Sequence, residues 1–260
     1  MYKEIALTTL KEETVYRAEL IVSFIGSIIS LSVWFFVWSA IFKASGLEVL
    51  KGMTLPIMIT YISINAVLHF YNRSALEYWI EDDVRTGFIT ILMTKPVNYP
   101  IYYLFRDVGR LAFSLLTRGL PILIIASLLL HISMPSNPLF FVSAALGFFV
   151  NFLMLFLTGM SSFWSSGSIW GLRYTRSIVS DIMSGSMIPL ILFPEWLRQV
   201  AYALPFQAIY STPLLIYVGQ TSGSDIFSSI LLQLAWIAIL SVVVFVVWRK
   251  AQKKTVSQGG

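Results

Sequence analysis

Glu77-Tyr78-Trp79-Ile80-Glu81-Asp82-Asp83-Val84-Arg85-Thr86-Gly87-Phe88-Ile89-Thr90-Ile91-Leu92 is a charged segment set between apolar stretches, and it closes at Lys95-Pro96. Five of the chain's 13 acids fall in it or just beyond it: Glu77, Glu81, Asp82, Asp83 and Asp107. Ile80, Val84, Phe88 and Ile91/Leu92 recur at helical spacing, which predicts one amphipathic helix over about 77–92. An amphipathic helix between two apolar spans can rest on lipid headgroups or touch a partner outside the bilayer. Acids argue against anionic headgroups, which select Lys and Arg. A protein groove is the better partner, with Ile80, Val84 and Phe88 as anchors and Glu81, Asp82, Asp83 and Arg85 around them.

The surroundings of this segment set the class. Of 260 residues, 57% are hydrophobic and 12% charged, and the mean hydropathy is +0.78. A soluble domain carries about 25% charged residues. The composition therefore predicts an all-α membrane protein with no separate soluble domain. The chain has no cysteine, which excludes disulfides and thiol chemistry. Residues 1–19 are polar and lack the short apolar core of a signal peptide. They are expected to form a cytoplasmic interface segment, although the stripe Tyr2, Ala6, Leu10 is interrupted at Glu13 and a solvated helix fits as well.

Six transmembrane helices can be drawn within 20–248, at 20–42, 55–71, 111–131, 139–164, 178–193 and 227–248. Most approach the ~20 residues a bilayer requires; the second and fifth are short. Orientation follows from the basic residues. With the N-terminus inside, 14 of the 18 Lys and Arg, Arg17 and Arg73 among them, fall on inner segments. Only Lys43, Lys51 and Arg198 fall outside, and Arg118 lies within a span. Both termini and the 77–92 segment are then cytoplasmic, in a multi-pass cell membrane protein. The outer region 194–226 holds an interfacial helix near Glu195–Tyr202, broken by Pro205, and an apolar piece of 13 residues at 206–218, too short to cross. A pair of short re-entrant helices is expected there, covered by protein. The tail 249–260 is cytoplasmic, and disorder is expected from Lys253 onward.

Several polar residues are candidates for a cavity or for helix contacts. Asn65 and His69, four apart, share a face. Arg118 either snorkels to the inner interface or partners Asp181. Arg176, close in sequence, is the alternative partner for Asp181. Asn151 can bond across helices. Trp34, Phe35, Phe36 and Trp38 form either a lipid-facing belt or an aromatic wall. With His69 and His131 on opposite sides, no metal site is expected. Serine runs such as Ser165-Ser166-Gly167-Ser168 have no His after position 131 to activate them, so no catalytic residues are assigned. Gly-x-x-x-x-Gly-Lys-Ser/Thr does not occur, so ATP phosphates are not cradled in that way here.

Three stretches carry a resemblance. The first runs Asp83-Val84-Arg85-Thr86-Gly87-Phe88-Ile89-Thr90-Ile91-Leu92-Met93-Thr94-Lys95-Pro96. The second is Ser184-Gly185-Ser186-Met187-Ile188-Pro189-Leu190 followed by Phe193-Pro194-Glu195-Trp196-Leu197. The third is Leu204-Pro205-Phe206 with Pro213 and Gly219. In order and spacing the chain resembles the permease subunit of ABC-2-type transporters whose ATPase is a separate polypeptide. Phe88 stands where the family often has Leu. The resemblance implies a half-transporter: a second permease chain, as homo- or heterodimer, two ABC ATPase subunits carrying ATP and Mg, membrane lipid around it and no nucleic acid. It makes 77–92 the coupling helix, leaves this chain without cofactor or catalysis, and implies export of a hydrophobic, drug-like, peptide or lipid-like substrate. Two other readings stay open: a membrane enzyme on a lipid or prenyl substrate using Glu81-Asp82-Asp83, and a non-transporting assembly subunit.

Overall fold

The computed structural model of the chain describes residues 2–14, 17–71 and 74–258; Arg73 lies outside them. The protein is an all-α membrane protein with one small hairpin of two-residue strands, Val49–Leu50 and Met53–Thr54. The helices are α1 (Tyr2–Glu13), α2 (Arg17–Ser45), α3 (Leu55–Leu68), α4 (Leu76–Thr86), α5 (Phe88–Thr94), α6 (Tyr99–Ser114), α7 (Leu120–Leu130), α8 (Leu139–Met160), α9 (Trp170–Met183), α10 (Glu195–Ala203), α11 (Ser211–Tyr217) and α12 (Ser224–Gln258). Among the described residues, four stretches are long and apolar enough to cross a bilayer: Leu20–Ser45, Tyr99–Leu130, Leu139–Phe163 and Ser224–Lys254.

Helix α8 is the centre. It is apolar all round, and 56% of its most apolar window is buried against 11% for α2. Two glycines admit its neighbours. A Cβ on Gly147 would lie 2.9 Å from the Ile209 carbonyl oxygen, and one on Gly159 would lie 2.9 Å from Ile80 Cδ1. Helix α12 is clipped to α8 by a buried side chain. Gln233 Nε2 donates to the carbonyls of Ser143 (3.0 Å) and Ala208 (2.8 Å), and Ser143 Oγ donates to Gln233 Oε1 at 2.9 Å.

Expected spans and observed helices differ in three places. The span at 111–131 begins much earlier: α6 and α7 form one helix, Tyr99–Leu130. They are joined by a π turn at Leu115–Gly119, in which the Leu120 N–H reaches the Leu115 carbonyl. Pro121 is the physical reason. Its ring collides with the carbonyl four residues back in an α-helix, and widening the turn relieves this. The span at 178–193 is not one helix. Helix α9 ends at Met183 and the chain turns at Gly185, φ +81°. The freed carbonyls of Ser184, Gly185 and Ser186 accept from Ser211 N (2.9 Å), Tyr61 Oη (2.7 Å) and Asn65 Nδ2 (2.8 Å). The tail expected to be disordered from Lys253 continues α12 through Gln258.

The molecule has two ends. At one, Lys51 Nζ donates to the Phe193 carbonyl (3.2 Å), Gln220 Nε2 to the Gly52 carbonyl (3.0 Å) and Tyr217 Oη to the Ser133 carbonyl (2.9 Å). These join the hairpin to the turn after α7 and to the ends of α10 and α11. Helix α11, the apolar piece too short to cross, is buried at every residue. The other end gathers α1, α4, α5, the start of α6 and the last turns of α8. There α1 docks on α6: Gly109 lies so close that a Cβ would fall 2.3 Å from the Ala6 carbonyl oxygen. Tyr2 stacks on Phe105 at 5.4 Å and its hydroxyl accepts from Asn98 N at 3.2 Å. The N-terminal segment is thus packed on protein along this face, not solvated all round.

Candidate functional site

The charged segment folds as two helices, not one. Gly87 between α4 and α5 has φ +73°, a left-handed conformation that ends α4 and that a side chain resists. Nothing lies within 4 Å of where its Cβ would be, so the backbone and not space requires glycine. The start of α4 is tied to α6. Ser74 Oγ accepts from Leu76 N at 3.0 Å and donates to Asp107 Oδ1 at 2.6 Å, and Asp107 is paired with Arg110 Nε at 3.0 Å. Arg110 also donates to the Phe70 carbonyl at 3.2 Å, closing the turn that follows α3.

The acids of α4 face inward, and this corrects the sequence reading. Three of the four are buried and bonded within the chain. Arg176 of α9 grips Glu77 with Nε at 2.7 Å and Nη2 at 3.4 Å. One turn on, Glu81 accepts from Arg173 Nη1 at 3.1 Å and from the Ile169 backbone N–H at 3.0 Å, just ahead of the start of α9. Asp83 accepts from the hydroxyls of Tyr99 (3.0 Å) and Tyr103. Arg106 lies 4.0 Å above the Trp79 ring and completes the shell. Burial pushes the Glu77 carboxyl above the usual carboxylate range, and Arg176 only partly offsets it. Burial likewise raises Asp83 against its two tyrosines and Arg106. Burial also acts on Glu81, but the bonds from Ser168 and Ile169 and the charge of Arg173 together outweigh it and hold that carboxyl below its ordinary value.

The apolar anchors change with the acids. Ile80 is fully buried against Gly159 of α8, and Val84 packs partly buried against the core. Neither is presented to a partner in this chain. The expected single stripe is split at Gly87: Ile80 and Val84 seat α4 on its own protein, while Phe88 and Ile91 of α5 are exposed. Besides three threonines, what α4 and α5 expose is Tyr78, Asp82, Arg85, Phe88 and Ile91. Phe88, 41% exposed, is the expected anchor that does face outward. Beside it opens a groove of about 480 Å³ lined by Glu4, Glu12, Phe88, Tyr102 and Arg106.

A second site lies between α2, α3 and the end of α9. This cavity, about 230 Å³, is lined by Ser27, Ser30, Leu31 and Trp34 of α2, Ile62, Asn65 and Ala66 of α3, His69 and Phe70 of the turn after it, and Asp181, Ser186 and Met187. It unites three of the candidate polar residues, Asn65, His69 and Asp181. The other two lie elsewhere. Arg118 is buried at the π turn, where it donates to Ser23 Oγ at 2.9 Å and to Ser114 Oγ and lies 5.2 Å above the Phe70 ring. It is held by protein there and does not snorkel. Asn151 is buried within α8. Arg176, weighed as a partner for Asp181, is engaged with Glu77. Sequence reasoning missed the Asp107–Arg110 pair, which the i,i+3 spacing on one helix could have signalled, and it missed Arg173 and Arg176, whose partners are known only once the helices are assembled.

No curated protein matches the chain. A family model described as ABC-2 family transporter protein matches residues 28–259, from α2 through the end of α12. ABC-2 permeases are membrane components of transporters and work with an ABC ATPase. The match spans both the α4–α5 region and the cavity. The chain belongs to the ABC-2 family of transporter proteins.

Proposed function

We propose that the chain is the permease half of an ATP-driven exporter, pairing with a second permease chain and with two ATPase subunits that carry ATP and Mg. The match to the ABC-2 family over 28–259 is the observation that carries this reading. In it, α4 and α5 are the coupling element, lying with both termini in the cytoplasm of a cell whose membrane the chain spans six times. The crossings are α2, α3, Tyr99–Leu130, α8, α9 with its following turn, and α12; α10 and α11 are re-entrant. The distribution of Lys and Arg supports this orientation. In this reading a hydrophobic, drug-like, peptide or lipid-like molecule is exported past the cavity at Asn65, His69 and Asp181.

The docking surface is Tyr78, Asp82, Arg85, Phe88 and Ile91, an apolar pair ringed by polar groups. Interface energy concentrates in a few buried aromatic and Arg anchors, each costing about 2 kcal/mol or more when lost. Phe88→Asp with Arg85→Glu is therefore expected to reduce co-purifying ATPase at least about tenfold while membrane insertion stays intact. Ile80→Asp is expected to fail earlier, by disrupting the seat of α4 on α8. Undiminished co-purification and coupled ATP hydrolysis in the Phe88→Asp, Arg85→Glu chain would sink the docking claim.

A further inference from the structure

Helix α9 is poorly held by apolar packing. Of its 14 residues only Ser180 is buried, and Trp170, Leu172, Tyr174, Ile178 and Ile182 are exposed. Its polar attachments lie in its first half and just beyond its last residue. In the first half, Glu77 and Glu81, four apart on α4, meet Arg176 and Arg173, three apart on α9, in antiparallel order, and Glu81 also accepts from Ile169 N just ahead of the helix. At the finish, the carbonyls of residues 184–186 are clipped to Tyr61 and Asn65 of α3 and to Ser211 of α11. The whole helix, 14 residues, is a rod of roughly 21 Å, and Arg176 to its last residue spans about 10 Å of it. Asp181 near its far end and Ser186 and Met187 beyond it form one wall of the cavity.

We infer that the two carboxylate–arginine pairs form a clasp that makes α4 and α9 one moving unit, so that displacement of α4 is delivered to the cavity wall at Asp181, Ser186 and Met187. This rests on the reading of α4 as the element on which the ATPase acts. The physical reason is the contrast in grip. Two buried or half-buried charge pairs cannot part without stranding a carboxylate in protein, whereas sliding the exposed apolar face of α9 costs little. The pairs belong to different sequence regions, so neither helix needs them to form. Glu77, Glu81, Arg173 and Arg176 are positioning residues in this scheme, acting on the cavity through the rod. A cleft lined by Tyr78, Asp82, Arg85, Trp170 and Arg173 opens directly onto the Glu81–Arg173 pair, so a partner seated on α4 touches the clasp itself.

The absence of cysteine makes the test direct. Met187→Cys, half-exposed on the cavity wall, is labelled with a thiol reagent in the assembled transporter with and without ATP. The expected result is an ATP-dependent labelling rate, with the several-fold or larger change typical of coupled sites. Glu77→Arg or Arg176→Glu in that background should abolish the change while the ATPase still co-purifies, and the two together, which restore an opposite-charge pair, should bring it back. Arg173→Gln leaves Glu81 its bonds from Ile169 and Ser168, so the chain folds and the change is reduced. If the single variants keep the full change, or the charge swap fails to restore it, the clasp does not couple the helices. If the Met187→Cys chain itself shows no change with ATP, the reading of α4 as the coupling element fails, and this inference falls with it.

Discussion

Glu77 and Glu81 sit four residues apart on α4, yet their carboxyls are displaced in opposite directions. Glu77 is raised by burial, with Arg176, Arg173 and Thr158 opposing. Between the ordinary carboxylate value and its raised folded value, the folded chain binds a proton the unfolded chain lacks. In that window this group makes stability fall as pH rises. Glu81 is lowered, so its contribution is full above the ordinary value and is lost as pH falls through the lowered one. On acidification from neutral Glu77 therefore takes up its proton before Glu81, and the Glu77–Arg176 pair loses its charge first. Infrared difference spectra should show this: Glu77→Gln removes the protonated-carboxyl band that grows in at higher pH, and Glu81→Gln the one at lower pH. Arg176→Ala leaves Glu77 buried without its partner, and a loss of about 3–5 kcal/mol is expected. Glu77→Leu with Arg176→Met should recover most of the thermal stability, since a well-packed apolar pair substitutes for a buried ion pair. The recovered chain is expected to remain uncoupled, because the charge pair that joins α4 to α9 is gone.

Close approaches between helices rest on single glycines. A Cβ on Gly109 would meet the backbone of Ala6 at 2.3 Å, so Gly109→Val must lift α1 from α6. Hydrogen exchange in α1 should rise sharply while α8 keeps its protection, at a cost of about 1–3 kcal/mol. These elements also mark where the sequence was legible. Helices α2, α8 and α12 were readable because length and hydropathy alone define an apolar crossing. The amphipathic stripe of α4 was readable too, but periodicity names a face and not what covers it. Ile80 reads as a partner anchor because its true cover, α8 at Gly159, lies about 80 positions away in sequence. The acids misled for the same reason: Glu77 and Glu81 find their arginines 99 and 92 residues on. Gly87 was visible as a residue and not as a positive φ. The break at 184–186 was hidden because apolar residues resume at once and the bonds that sustain it come from Tyr61, Asn65 and Ser211.

At the scale of the whole molecule, the cysteine-free chain permits a test of its orientation. Met134, 86% exposed in the turn after α7, and Lys95, exposed after α5, lie at opposite ends. In intact cells Met134→Cys should react with a membrane-impermeant maleimide, and Lys95→Cys only after permeabilisation; the reverse pattern would invert the topology. The long helix Tyr99–Leu130 connects these two ends, and each half answers to different neighbours. Gly109 faces α1 in the lower half, while Arg118 at the π turn faces Ser23 of α2 and Phe70. A residue inserted in a helix turns everything beyond it by about 100° and advances it by about 1.5 Å. The π turn at Leu115–Gly119 is such an insertion, absorbed in place, and it sets the angular phase between the two halves. Deleting Thr117 would remove the surplus residue while Pro121 stays, which rotates one half out of register and brings the proline ring back against the carbonyl four residues before it. Gly109 would leave α1 or Arg118 would leave Ser23. The surplus residue works as a spacer that indexes one end of the molecule against the other.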